Sequence, residues 1–126
     1  MKELTKAEQQ VMHHIWELNK SFLKDIVEAF PEPRPAYTTI STVIRVLVKK
    51  GFVGYNTYGK VHEYFAKISR QSYFRIHVKS LINNHFDGSV VRFASFFTGD
   101  DALDLGELEE IKQLIDQKIE ALKGDK

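Results

Sequence analysis

The chain has 126 residues, 43% of them hydrophobic and 28% charged, with a formal net charge of +1. This is ordinary composition for a soluble protein and allows one domain, or a small domain with an appendage, around a modest core. The absence of cysteine excludes disulfides, thiolate metal sites and cysteine nucleophiles. No apolar run approaches the roughly 20 residues of a membrane span and no signal-peptide core opens the chain, so a cytoplasmic protein without membrane insertion is expected.

The distribution of charge says more than its total. Residues 1–68 carry ten Lys/Arg against seven Asp/Glu, and residues 69–126 carry eight against ten. Between Pro33 and Lys67 there are six basic residues and one acidic. Local clustering sets the field that a polyanion meets, so the basic stretch marks where nucleic acid would bind.

Thr5 and Glu8 form a Thr-x-x-Glu capping box that opens the first helix. Val11, Met12, Ile15 and Trp16, with Leu18 near the end, form its apolar stripe. Asn19 and Lys20 make a break. A second helix of about residues 22–30 presents Leu23, Ile26, Val27 and Phe30 inward. Pro31-Glu-Pro-Arg-Pro35 stops it, because proline cannot continue a helix and restrains the residue before it.

The third helix, Tyr37 to Lys50, has two faces with different jobs, and Thr38 is its expected N-cap. Ile40, Val43, Ile44, Leu47 and Val48 follow core-facing spacing. Thr38, Ser41, Thr42, Arg45 and Lys49 recur on the other side, with hydroxyls first, basic groups later and no acid. Small side chains let a helix backbone enter a groove while Arg and Lys meet base edges or phosphates. Thr39, Ser41, Thr42 and Arg45 are the expected groove contacts, with Arg45 able to pair bidentately with guanine. Tyr37 can hydrogen-bond a phosphate or pack under the helix. Lys49 and Lys50 complement the negative end of the helix dipole, and Gly51 suits the left-handed residue that ends it. Lys6 and Lys50 can reach flanking phosphates or stand in solvent.

Phe52 to Thr57 and Val61 to Ala66 read as two strands joined by Tyr58-Gly59-Lys60. Lys60 at the turn is placed to meet a phosphate, with Tyr58 beside it. Three helices and a β-hairpin within residues 1–68 predict a winged helix-turn-helix that binds double-stranded DNA.

From Ser69 onward the pattern is helical. A helix to about His85 carries Tyr73, Ile76, His77, Leu81 and Ile82; Asp87-Gly88-Ser89 breaks it. Val90 to Phe97 is short and very apolar, and a capping box of Asp104 and Glu107 opens a last helix with Leu108, Ile111, Leu114, Ile115, Ile119 and Leu122 on one side. Three such helices cannot readily build an isolated core, and their apolar residues exceed what a monomer exposes. Residues 69–126 are therefore expected to form a homodimer through Ile76, Leu81, Phe86, Phe93, Phe97, Leu108, Ile111 and Ile115. A twofold dimer sets two recognition helices about 34–36 Å apart, or a multiple of that, to match a palindrome. The fold class expected is mainly α with a small β-hairpin: a winged helix-turn-helix domain plus a C-terminal helical dimerisation region.

His13 and His14 are adjacent, roughly 100° apart on a helix, and cannot chelate together. His62, His77 and His85 have no partner at ligand spacing, so no metal and no cofactor are expected. Neither a nucleophile elbow nor a phosphate-binding glycine loop is present, and the acids from Asp100 to Glu110 surround a helix start, where negative charge favours the dipole. An enzyme is not expected. A winged helix that binds protein instead of DNA is the alternative reading.

Leu-Thr-Lys-Ala-Glu at 4–8, Ile-Trp at 15–16, Asp-Ile-Val-Glu-Ala at 25–29, Ala-Tyr-Thr-Thr at 36–39 and Leu-Val-Lys-Lys-Gly at 47–51 resemble the BlaI/MecI family of β-lactamase and methicillin-resistance repressors, which includes copper-responsive CopY-type members. Ile-Ser-Arg at 68–70, Phe-Asp-Gly-Ser at 86–89 and Leu-Glu-Glu-Ile at 108–111 continue the match in the family's order. The resemblance implies a winged helix, a helical dimerisation region and repression at a palindromic operator. It also implies relief by a membrane-bound metalloprotease sensor that triggers cleavage in the short apolar helix, near Phe96-Phe97. The family's Asn-Phe pair is absent there, since Phe96 stands at the Asn position. The copper-responsive members carry a cysteine-rich tail, which this chain lacks, so copper sensing is excluded.

Overall fold

The element order of the computed structural model, which describes residues 3–124, is α1 (Lys6–Leu18), β1 (Lys20–Phe22), α2 (Leu23–Ala29), α3 (Tyr37–Lys50), β2 (Val53–Tyr58), β3 (Val61–Ala66), α4 (Arg70–His85), α5 (Val90–Phe97) and α6 (Leu105–Gly124). The chain forms two compact units, Met1–Val78 and Lys79–Lys126, with the boundary inside α4.

In the first unit, the Thr5 hydroxyl accepts from Glu8 N–H at 3.2 Å while the Glu8 carboxylate accepts from Thr5 N–H at 2.8 Å, so the expected capping box forms. Val11, Met12 and Ile15 of α1 then pack with Ile26 of α2 and with Ile40, Ile44 and Leu47 of α3. Leu18, placed on the stripe from sequence, is exposed, because the last turn of α1 runs past the core. Trp16 is half-buried, and its indole N–H donates to the Ile68 carbonyl at 2.9 Å.

Arg34 ties down the proline segment. Its guanidinium donates to the Phe30 carbonyl at 2.9 Å and the Glu28 carbonyl at 3.2 Å, which satisfies open acceptors at the end of α2. Thr38 is not the N-cap of α3. Ala36 holds that position in an extended conformation without a side-chain bond, since the helix begins at Tyr37, two residues after Pro35. The other end follows expectation: Gly51 has φ +87°, its N–H donates to the Val48 carbonyl, and Phe52 N–H donates to the Leu47 carbonyl. This double closure suits a left-handed glycine, and the two apolar residues it joins, Leu47 and Phe52, are fully buried.

The first strand of the hairpin is shifted by one residue from its sequence reading, and the hairpin is not isolated. Tyr58 belongs to β2, which leaves a two-residue turn of Gly59 and Lys60, with Gly59 at φ +62°. Lys20, read as part of a break, and Phe22, read as the start of the second helix, belong with Ser21 to β1, which pairs antiparallel with β3, so the sheet has three strands in the order β1-β3-β2. Three residues show no usable alternation; the open edge of β3 recruits them. Tyr73 of α4 also joins this core, and its hydroxyl accepts from Leu4 N–H at 3.3 Å.

In the second unit, the Ser89 hydroxyl accepts from Arg92 N–H at 3.0 Å to start α5, and Asp104 and Glu107 exchange the capping-box bonds that start α6. Phe86 meets Phe93 at 5.6 Å and Phe96 at 5.5 Å between ring centroids, and Phe93 stacks on Phe97 at 5.9 Å. Despite these pairs α5 and α6 contain no fully buried residue. Ile82 is buried and Leu81 exposed; Ile76, on the first unit's side of the boundary in α4, is exposed too.

The predicted class holds: mainly α with a small β-sheet, in a winged-helix arrangement.

Candidate nucleic-acid interface

The outer face of α3 exists because its inner face is taken. Ile40, Ile44 and Leu47 are at most 1% exposed, and this pins the helix so that Thr38, Thr39, Thr42, Arg45 and Lys49 are all exposed. Ser41 lies at the margin, half-buried. The Thr42 hydroxyl donates to the Thr38 carbonyl at 2.9 Å, one turn back. Arg45 Nη2 lies 3.4 Å from the Ser41 hydroxyl, a long bond that holds the guanidinium along the helix without neutralising it. Among the described residues Arg45, Lys49 and Lys60 form no ion pair with a carboxylate.

Lys50 differs from its neighbour. Its ammonium donates to both Glu8 carboxylate oxygens at 2.8 and 2.9 Å, and Glu8 is buried. Of the two readings open to it from sequence, flanking phosphate or solvent, it fits neither: its charge is committed inside the protein. Lys6 stays exposed.

Tyr37 is half exposed at the start of α3. Tyr58 is exposed at the end of β2, its ring steeply inclined to that of Phe22 of β1 with centroids 6.4 Å apart, and Lys60 is exposed in the turn. The hairpin register sets Tyr55 opposite Tyr64 and Thr57 opposite His62. Those pairs share one face of the sheet, where the Tyr55 and His62 rings lie 4.1 Å apart and the Thr57 hydroxyl lies 3.1 Å from His62 Nδ1. Burial, above all, and then Tyr55 raise the Tyr64 phenol above its ordinary value, while the positive Arg45 opposes them. Sequence reasoning missed Tyr55, His62 and Tyr64; the pairing that follows from a two-residue Gly59-Lys60 turn would have found them.

The dimerisation candidates divide by exposure. Ile76, Leu81, Phe97 and Ile115 are exposed, and Phe86, Phe93, Leu108 and Ile111 are half-buried. Val90, Val91, Phe96, Leu105, Leu114 and Leu122 add further exposed apolar surface. Among the described residues no helix is long and apolar enough to cross a membrane, and no group of three or more His, Asp or Glu is placed to hold a metal.

A model of the penicillinase repressor family matches residues 4–117. The penicillinase repressor of Bacillus licheniformis is 23% identical over 116 residues, which cover 91% of each chain. The methicillin resistance regulatory protein MecI of Mammaliicoccus sciuri is 26% identical over 117 residues, 92% of this chain and 95% of that one. MecI of Staphylococcus aureus strain N315 gives the same identity and coverage. With a match that spans nearly its whole length, the chain belongs to the penicillinase repressor family, a family of transcriptional repressors and not of enzymes.

Proposed function

We propose that the protein represses transcription as a homodimer on a palindromic operator in double-stranded DNA, with residues 1–68 as the DNA-binding part and residues 69–126 as the dimerisation part. The observation that carries this reading is the exposed, acid-free face of α3, where Arg45 and Lys49 form no ion pair among the described residues, beside a hairpin whose turn holds Lys60. In this reading α3 enters the major groove. Thr39, Ser41, Thr42 and Arg45 meet base edges, and Tyr37, Thr38, Lys49, Tyr58 and Lys60 meet the backbone. Lys50 is left out of this set, because breaking its pair with Glu8 would strand a buried carboxylate.

The apolar surface of the second unit supports self-association. Phe86, Phe93, Phe97, Leu108, Ile111 and Ile115, with Ile76 and Leu81, bury against their counterparts in the partner. Two heads on one palindrome raise each other's effective concentration, so cutting the coupling region releases the operator. Relief by proteolysis in α5 at Phe96-Phe97, triggered by an upstream membrane metalloprotease sensor, fits the exposure of Phe96, at 71%.

A salt titration tests the DNA reading. Operator affinity should fall steeply as salt rises, because each neutralised phosphate releases counterions. If a cognate palindrome binds no better than random duplex, and binding is indifferent to salt, the domain is a protein-interaction module instead.

A further inference from the structure

A cavity of about 480 Å³ lies between the start of α2, the first residue of α3 and the hairpin. Its apolar walls are Phe22, Leu23, Tyr37, Val61 and Tyr64, and its polar lining is Lys24, Asp25, Lys60 and His62. Neither the family match nor the proposed operator contacts assign it a role, although Tyr37 and Lys60 belong to both surfaces.

The volume and the mix of rings with a few polar groups are those of small-molecule sites. Three of the five apolar walls are aromatic, and planar rings pack on such walls edge-to-face or offset. The charged groups set the sign of the occupant. The lining sets two ammonium groups, Lys24 and Lys60, against one carboxylate, Asp25, which also accepts from Phe22 N–H at 3.0 Å. His62 Nδ1 lies 3.1 Å from the Thr57 hydroxyl. Lys24 and Lys60 have no ion pair among the described residues. Neither ammonium is buried, so both stay hydrated beside a neutral occupant, whereas a carboxylate gains a charge-assisted hydrogen bond from one or both of them.

We propose that this cavity binds a small carboxylate with a single aromatic ring, the ring between Phe22, Tyr37 and Tyr64 and the carboxylate toward Lys24 and Lys60. Its regulatory consequence rests on the proposed DNA reading: a ligand that engages Tyr37 and Lys60 competes with the operator for them, so ligand and operator weaken each other reciprocally.

The test titrates the full chain, without DNA, with phenylacetate as the probe, followed by calorimetry and by amide chemical shifts. Saturable binding with a dissociation constant on the order of 1 mM or tighter is expected for so few heavy atoms. Phenylacetamide, which has the ring without the charge, and acetate, which has the charge without the ring, should each bind about tenfold more weakly, as should phenylacetate to Lys60→Gln. Val61→Trp, at an exposed position that tolerates the larger ring, should fill the cavity and abolish binding while leaving the remaining amide spectrum folded. No saturation by about 10 mM, equal binding of phenylacetamide, or full binding to Val61→Trp would overturn the site. A second arm adds operator DNA. Phenylacetate should lower operator affinity in the parent chain and not in Val61→Trp; binding that leaves operator affinity unchanged overturns the competition. Failure to bind any operator removes the DNA reading, and the first arm still decides the cavity.

Discussion

Lys50 Nζ grips both oxygens of the Glu8 carboxylate, at 2.8 and 2.9 Å, and joins the last turn of α3 to the first turn of α1. Glu8 also serves as the acceptor of the capping box, so one side chain starts α1 and anchors α3. Truncating Lys50→Met leaves a buried carboxylate unpaired and should cost about 3 kcal/mol. Adding Glu8→Gln should recover part of that, as chemical denaturation of the single and double variants will measure. Operator affinity per folded molecule should be unchanged in Lys50→Met; a marked loss would return Lys50 to the DNA interface.

Acid should weaken the fold in two stages. Burial, first, and the neighbouring His13 charge hold the His14 imidazolium below its ordinary value of 6.5. The unfolded chain therefore takes up that proton first, and the stability due to neutral His14, complete above 6.5, is lost as pH falls through the lower folded value. Burial alone would raise Glu8, but its hydrogen bonds to Lys50 and Thr5 and the Lys50 charge outweigh it and hold the carboxyl below 4.5. Its contribution is complete above 4.5 and lost as pH falls further. His14→Phe, which keeps a ring against Phe30, should flatten the first stage and spare the second in thermal melts against pH. An unchanged first stage would assign it to another group.

Arg45 and Lys60 should fail differently. Arg45→Ala is expected to cost roughly 1–3 kcal/mol on the operator and to relax one base position. Lys60→Ala should weaken all duplexes about equally and reduce the salt slope by about one. Binding assays across a set of single-base operator variants separate the two; a strongly sequence-dependent loss for Lys60→Ala contradicts a phosphate role.

Gly54 sits opposite Phe65 in the hairpin, and a Cβ there would come within 2.8 Å of the Phe65 ring. Gly54→Ala must push the ring aside, at an expected cost of roughly 1–3 kcal/mol. Pairing it with Phe65→Leu should recover stability. A melting temperature unaffected by Gly54→Ala would mean that the ring moves freely.

Phe93 and Ile111 stand on α5 and α6 in a unit where neither helix buries a residue completely. Replacing both by Glu should give monomers at micromolar concentration in sedimentation velocity, with the first unit still folded. A sedimentation profile identical to the parent would move the dimer surface elsewhere.

Helix existence was legible wherever period and caps agreed. Thr5 with Glu8 and Asp104 with Glu107 each carry a start signal written within four residues, and both helices begin there, whereas Ser89, read only as part of a break, proved to be the cap of α5. The outer face of α3 was legible for the same reason: Ile40, Ile44 and Leu47 define an inside, and the remainder must face out. The aromatic row of Tyr55, His62 and Tyr64 was not, because strand register depends on whether Tyr58 pairs or turns, and one residue decides every partner. The part of Lys50 was hidden too, since nothing local distinguishes it from Lys49.

What the chain's own order of residues determined is local: periodicity, caps, the left-handed Gly51 and the acid-free face of α3, all of which act over distances of a turn or two. Tertiary structure alone decided that residues 20–22 become a strand, that Glu8 neutralises Lys50 across 42 positions, and that a cavity opens beside Tyr37. Those outcomes depend on partners distant in sequence. A lysine or a three-residue segment takes its role from whichever carboxylate or strand edge folding brings beside it, and no local pattern encodes that neighbour.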